Sequence, residues 1–175
     1  MGAAGGLPSE RMALNTEKEY TRSDTLRLGI ERPKPTRRDP PGGETAVSDG
    51  DLAPFARYLE QPDGRVLSQV LEGLYDAVLI TEFGGNARIL FANGRAEDFF
   101  RCAARRMVGR SVVEFISGAE EETVEWIRSH LARQRVFIEC YCVGTDESVF
   151  PAEITISVLS YTVSGESHSA FCFFI

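Results

Sequence analysis

The chain has little of what most chemistry requires. Its 175 residues include two histidines, one tryptophan and four cysteines. The cysteines, Cys102, Cys140, Cys142 and Cys172, form no C-x-x-C pair, and no Cys/His group has zinc-ligand spacing, so a metal centre is not expected. Cys140 and Cys142 stand two apart on an expected strand; they share a face and do not easily bridge each other. All four thiols read as reduced and partly buried. There is no glycine-rich phosphate loop, no nucleophile elbow and no His–Asp pair at suggestive spacing, so no catalytic residue is assigned. No apolar run approaches the ~20 residues that span a bilayer. The N-terminus lacks a basic stretch followed by an apolar one, and Gly6 stands where a myristoylation motif wants Ser or Thr. The expectation is a cytoplasmic chain with no membrane partner.

What is present is a 43% hydrophobic chain with a formal net charge of -7. Residues 1–50 carry 8 basic and 8 acidic side chains, so the whole deficit lies in residues 51–175. An acidic domain repels phosphate backbones, which argues against nucleic acid as a partner. The Arg101/Arg105/Arg106/Arg110 cluster is best explained as a solvated helix face. Residues 1–48, rich in Gly, Pro and charge, are expected to form a disordered tail.

Periodicity divides the rest. Leu52, Phe55, Ala56 and Leu59 fall at helical spacing behind an Asp49 or Asp51 cap, which predicts a short amphipathic helix, with residues 49–66 as helix and linker. Gln61–Gly64 is a break, and Arg65–Leu74 a second helical run. Strands are expected at Ala77–Thr81 and Ala87–Ala92, joined by a Gly84-Gly85-Asn86 turn. A short helix and turn follow over Ala104–Ile116, with Gly109 at a helix C-terminus where positive φ favours glycine. The longest helix is expected over about Glu120–Gln134; Glu120-Glu121-Glu122 in its first turn suit the helix dipole better than a carboxylate site. Strands close the chain at Val136–Val143, Val149–Leu159 and Ser169–Ile175, with a hairpin turn at Gly144–Ser148 and a polar turn at Ser164–Ser169. This order suits an α+β fold, an antiparallel sheet covered on one face by helices.

Four segments in this order, Asp76–Glu82, Phe91–Asn93, Met107–Ser111 and Phe150-Pro151-Ala152-Glu153, resemble the PAS domain over residues 67–175. The resemblance implies a five-stranded sheet in the order 2-1-5-4-3 and a small apolar cavity between the long helix and the inner sheet face. It implies a regulatory sensor module of a signalling protein, such as a two-component system, that senses a small ligand or partner and transmits through terminal helices. The alternative is a ligand-free module for dimerisation or docking. Any catalytic output, a kinase, cyclase or regulator, is expected in a domain outside this chain.

On the same resemblance the cavity-wall candidates are Phe99, Phe115, Trp126, Ile127, His130, Leu131, Ile154 and Ile156, with an ordinary filled core as the competing reading. His130, four residues after Trp126, is the candidate haem ligand. His168 is placed in an exposed turn. Light-sensing flavin relatives need a reactive Cys near the position where this chain has Val112, so adduct photochemistry is not expected. No cofactor is the leading expectation, with haem or flavin behind it. Asn93 is assigned as a structural cap of the helix that follows it. A homodimer interface is expected from Leu52, Phe55 and Leu59 with the outward-facing Phe137 and Tyr141.

Overall fold

The computed structural model describes residues 25–27, 49–131 and 135–175. Six strands, β1 (Thr25–Arg27), β2 (Val78–Glu82), β3 (Ile89–Ala92), β4 (Val136–Val143), β5 (Val149–Val163) and β6 (Glu166–Phe174), form one sheet in the order β1-β4-β5-β6-β2-β3. The five strands from β2 onward pair antiparallel in the expected order 2-1-5-4-3. β1 is an addition to that expectation. It lies within the segment assigned to a disordered tail and pairs in parallel with Phe137–Glu139 of β4. The rest of residues 1–48 lies outside the described residues.

The helices are α1 (Asp49–Glu60), α2 (Pro62–Glu72), α3 (Gly94–Phe100), α4 (Ala104–Met107) and α5 (Glu121–Leu131), with a 3-10 turn at Val112–Phe115. The break between α1 and α2 is shorter than Gln61–Gly64, because Pro62 serves as the first residue of α2, where a missing N–H costs nothing. Gly64 is buried there. A Cβ on it would lie 1.9 Å from the Tyr58 carbonyl oxygen, so only glycine allows this approach.

The sheet buries both faces. Alternation along the strands sends Leu79, Ile89, Ile138, Cys140, Cys142, Ile154, Ile156, Phe171 and Phe173 to an inner core. There they meet Phe100 of α3, Met107 of α4, Phe115 of the 3-10 turn, and Val124, Ile127 and Leu131 of α5. The opposite parity sends Val78, Ile80, Tyr161, Val163, Ala170 and Cys172 to an outer core closed by Phe55 of α1 and Leu71 of α2. A fully buried side chain of this size contributes about 1.5–3 kcal/mol.

The outer sides of β3 and β4 both have partners. Beyond β3, Gly109 N–H donates to the Ile89 carbonyl, and Ile89 N–H to the Arg110 carbonyl, each at 2.8 Å. Gly109 has φ 86°, the left-handed conformation expected of it. Beyond β4, Ile116 bridges Cys142, and Ser117 N–H donates to the Tyr141 carbonyl at 2.7 Å. The single segment 109–117 therefore bonds to β3 at one end and to β4 at the other.

β5 and β6 run four and three residues further into their connection than expected. Ser164 and Gly165 have φ 52° and 86°, a two-residue turn whose twist lets the ladder continue to the tip. His168 is consequently on β6, half-buried and stacked over Tyr161 with ring centroids 5.4 Å apart, and not in an exposed turn.

One side chain joins the two layers. Asn93 is fully buried at the junction of β3 and α3. Its Oδ1 accepts from Val78 N–H at 2.9 Å and Ala96 N–H at 3.0 Å; its Nδ2 donates to the Leu71 carbonyl at 2.9 Å and the Asp76 carbonyl at 3.0 Å. Asn93→Ala leaves four backbone groups, three of them buried, without these partners and is expected to cost about 3 kcal/mol or more. Asn93→Asp keeps the acceptor but turns a carboxylate toward two carbonyls, so it is expected to be at least as damaging. Urea unfolding decides; an Asp variant within about 1 kcal/mol of wild type would contradict this account.

Candidate functional site

The inner core gathers five of the eight expected wall residues. Phe115, Ile127, Leu131, Ile154 and Ile156 are buried in one cluster, and Phe100 joins Phe115 edge-on at 5.2 Å between centroids. Trp126 packs against the margin of that cluster. Phe99 and His130 are not brought in. Phe99 is 42% exposed and meets Phe150 edge-on at 4.8 Å, because adjacent residues on a helix point about 100° apart and Phe100 takes the inward position. His130 is exposed. Its ring stacks on Trp126 at 4.1 Å, and its Nδ1 lies 2.8 Å from the Trp126 carbonyl oxygen.

The donor set does not fit haem through this residue. His130 is held against the outside of α5, while the α5 side chains facing the sheet are Val124, Ile127 and Leu131. Among the described residues the buried polar side chains are Thr81 and Asn93, and Asn93 is fully engaged with backbone. The inner core presents apolar surface and thiols, which suits a compact apolar guest or none.

The interface candidates separate as well. Phe55 is 1% exposed, packed edge-on against Tyr161 at 5.3 Å, and Leu59 is half-buried in the same outer core. Phe55 and Leu59 of the α1 stripe are thus occupied within the chain. Leu52 is on α1, with its side chain outside the described residues. Phe137 and Tyr141 face outward on β4, 37% exposed and half-buried respectively. The exposed apolar residues the sequence reading passed over are Val66 and Val70, one turn apart on α2, and Tyr75 beyond its end. Their spacing of four is visible in the sequence, and it puts them on one face of the Arg65–Leu74 helical run.

A groove of about 410 Å³ lies between α1, the β2–β3 turn and the β5–β6 hairpin. Pro54, Phe83, Leu90, Tyr161 and His168 line it together with the Glu82–Arg88 ion pair at 2.9 Å. Burial pushes the Tyr161 hydroxyl above its ordinary range, and the Glu82 carboxylate adds to the shift.

The thiols differ by environment. Cys140 and Cys142 face the inner core; the influence of each thiol on the other holds Cys142 above the ordinary thiol range and Cys140 below it, with burial adding to the first shift and opposing the second. Cys172 faces the outer core, where burial pushes it from 9.0 up to about 12. Its folded value exceeds its unfolded one, so the stability it contributes is complete below pH 9 and lost as pH rises toward 12. The loss is about 1.4 kcal/mol per pH unit in that window. In the native protein Cys172 is expected to resist a thiol-specific disulfide reagent at about pH 8; rapid labelling, mapped by mass spectrometry, would contradict the assignment.

Residues 66–175, more than half of the chain, match the family model described as PAS fold. The PAS domain of an HTR-like protein from Haloarcula marismortui is 21% identical with a TM-score of 0.50, covering 66% of this chain and 91% of that one. A PAS domain from a two-component sensor histidine kinase is 12% identical with a TM-score of 0.53, covering 64% and 93%. The PAS domain of a protein from Colwellia psychrerythraea is 15% identical with a TM-score of 0.52, covering 63% and 93%. No curated protein matches. With its sheet order and the matched span, the chain belongs to the PAS family.

Proposed function

We propose that this chain is the regulatory module of a signalling protein, in which a change at the inner core is passed to the outer helices α1 and α2. The observation that carries this reading is the four-way hydrogen bonding of Asn93. Its carboxamide holds the first turn of α3, the start of β2 and the end of α2 at once. The Glu72 carboxylate adds a second tie, accepting from Gly94 N–H at 2.9 Å. A displacement of α3 by a guest, or by a partner on its exposed side, therefore pulls on the C-terminal end of α2. Helix α1 follows, since Phe55 and Leu71 belong to one outer core.

Catalysis would fall to another domain, such as a kinase or cyclase. No described helix is long and apolar enough to cross a membrane, and the reading places the protein in the cytoplasm. Haem through His130 is not part of it. A second reading, a ligand-free dimerisation module, is favoured by Val66 and Val70, exposed by 60% and 55% on one face of α2. Self-association there would use α2, whereas Phe55 is withdrawn into its own chain.

Hydrogen exchange tests the coupling. Asn93→Ser shortens the tether while leaving a cap for α3. Amides at the end of α2 are expected to exchange at least ~10-fold faster, with those at the start of α3 changing less. Unchanged α2 exchange would sink the transmission route. Mass spectrometry of small molecules released on denaturation, with light scattering for oligomeric state, separates the readings. A stoichiometric apolar metabolite supports the sensor. A bare protein that dimerises, and loses the dimer in Val66→Glu, favours the docking module.

A further inference from the structure

The groove on the outer face of the sheet is used by neither reading. Its volume of about 410 Å³ is in the range of small-molecule sites. The strand ladder builds it. Tyr161 of β5 pairs with His168 of β6, and Glu82 of β2 pairs with Ala170 of β6. Alternation sends these residues to the outer face, so Tyr161 and Glu82 stand on either side of β6 and both line the groove. Tyr161 is 8% exposed. Its ring is held by Phe55, Tyr58 and His168, with centroids 5.3, 5.1 and 5.4 Å away. Among the described residues its hydroxyl has no hydrogen-bond partner. No fully buried polar side-chain atom among them is left unsatisfied, so this hydroxyl is not sealed in the core; it opens on the groove. Across from it, Glu82 accepts from Arg88 Nε at 3.0 Å and Nη2 at 2.9 Å. The two charges cancel, and each carboxylate oxygen keeps a second acceptor site.

We propose that this groove binds a small neutral hydroxyaromatic molecule whose hydroxyl bridges Tyr161 and Glu82. That hydroxyl accepts from the Tyr161 phenol and donates to the Glu82 carboxylate. It is the smallest neutral group that does both. A carbonyl or an ether only accepts, an ammonium only donates, and a carboxylate would meet Glu82 with like charge. Neutrality follows from the fixed charges. Glu82 and Arg88 already satisfy each other, so a charged guest would lose its hydration without gaining a counter-ion. The aromatic body is matched by the apolar walls, Pro54, Phe83 and Leu90. Tyr161 remains a donor at neutral pH, since burial holds its hydroxyl above the ordinary range.

The position gives the site a consequence. Pro54 belongs to α1, so a bound molecule touches that helix directly. It would tie α1 to the β2–β3 turn and the β5–β6 hairpin without entering the inner core. The site is therefore independent of any inner-core guest, and either can fail alone.

The probe is 2-naphthol, neutral at about pH 7, titrated into the nitrogen-15-labelled full chain and followed by amide shifts. One saturable site with a Kd of about 1 mM or tighter is expected. The shifts should concentrate at Phe83, Gly84, Gly85, His168 and Ser169. Two analogues test the bridge in the wild-type protein. The methyl ether, 2-methoxynaphthalene, keeps the ring and the acceptor but has no hydrogen to donate, and 2-naphthoate carries a charge. Each is expected to bind at least ~10-fold more weakly. Tyr161→Phe keeps the packed ring, and it is expected to weaken 2-naphthol by a similar factor, whereas Ile154→Val in the inner core leaves binding unchanged. Should Tyr161→Phe disturb folding, the analogue series still decides. Equal affinity for the naphthol and its ether, unchanged binding in a folded Tyr161→Phe, shifts confined to inner-core amides such as Ile127 and Ile154, or no saturable binding would each overturn the proposal.

Discussion

The fold depends on one carboxamide. Asn93 has two acceptor sites and two donor hydrogens, and the structure uses them all on backbone groups of three different elements and the turn before β2. Val78 N–H belongs to the strand that carries both cores, Ala96 N–H to the first turn of α3, and the Leu71 and Asp76 carbonyls to the end of α2 and the turn after it. A serine or aspartate would cap α3 equally well. Neither could also donate twice in the opposite direction. The need for a neutral group with both polarities, fully desolvated, explains why asparagine stands here in a chain that caps elsewhere with Ser111 and Glu114.

Around that point the sheet acts as a partition with an occupied surface on each side. β2 and β6 send alternate residues to opposite cores: Leu79 inward and Val78 and Ile80 outward, Phe171 and Phe173 inward and Ala170 and Cys172 outward. The small outward residues of β6 make room for Tyr161 and Phe55, whose rings pack edge-on. The large inward ones fill the space under α5. Neither face can be stripped without leaving the central strands half-solvated, so α1 and α2 are part of the domain's packing even though they precede the first of its five family strands.

Much of this was legible in residue order, and the reasons for the rest are specific. β4 was bounded correctly because Val136 to Val143 is a run of β-branched, aromatic and cysteine residues broken only by Glu139, and it ends in a glycine turn. The tip of the β5–β6 hairpin was missed because its outward-facing Tyr161 and Val163 are separated by Ser160, Thr162 and Ser164, a composition that reads as loop; only the tight two-residue turn makes it strand. β1 has three residues and no pattern of its own, and its place comes from an edge that β4 offers. In the candidate site, the stripe Val124, Ile127 and Leu131 was visible by spacing. The same spacing placed Trp126 and His130 together, and they are together, but on the flank of the helix. A period of 3.6 tells which residues share a side and leaves open which side faces the sheet.

The role of α1 shows how an apolar stripe misleads when read alone. A helix with one such face must bury it, and a second copy of the chain is the obvious recipient when the domain is assumed complete without it. Here the outer face of β2 and β6 is itself apolar, because a central strand of a sheet covered on both sides has no polar side to show. The two surfaces satisfy each other within one chain, and Gly64 permits the sharp α1–α2 junction that brings Phe55 there. The inner and outer cores share the strands β2 and β6, so the packing of α1 and α2 on one face and of α5 on the other rests on the same backbone.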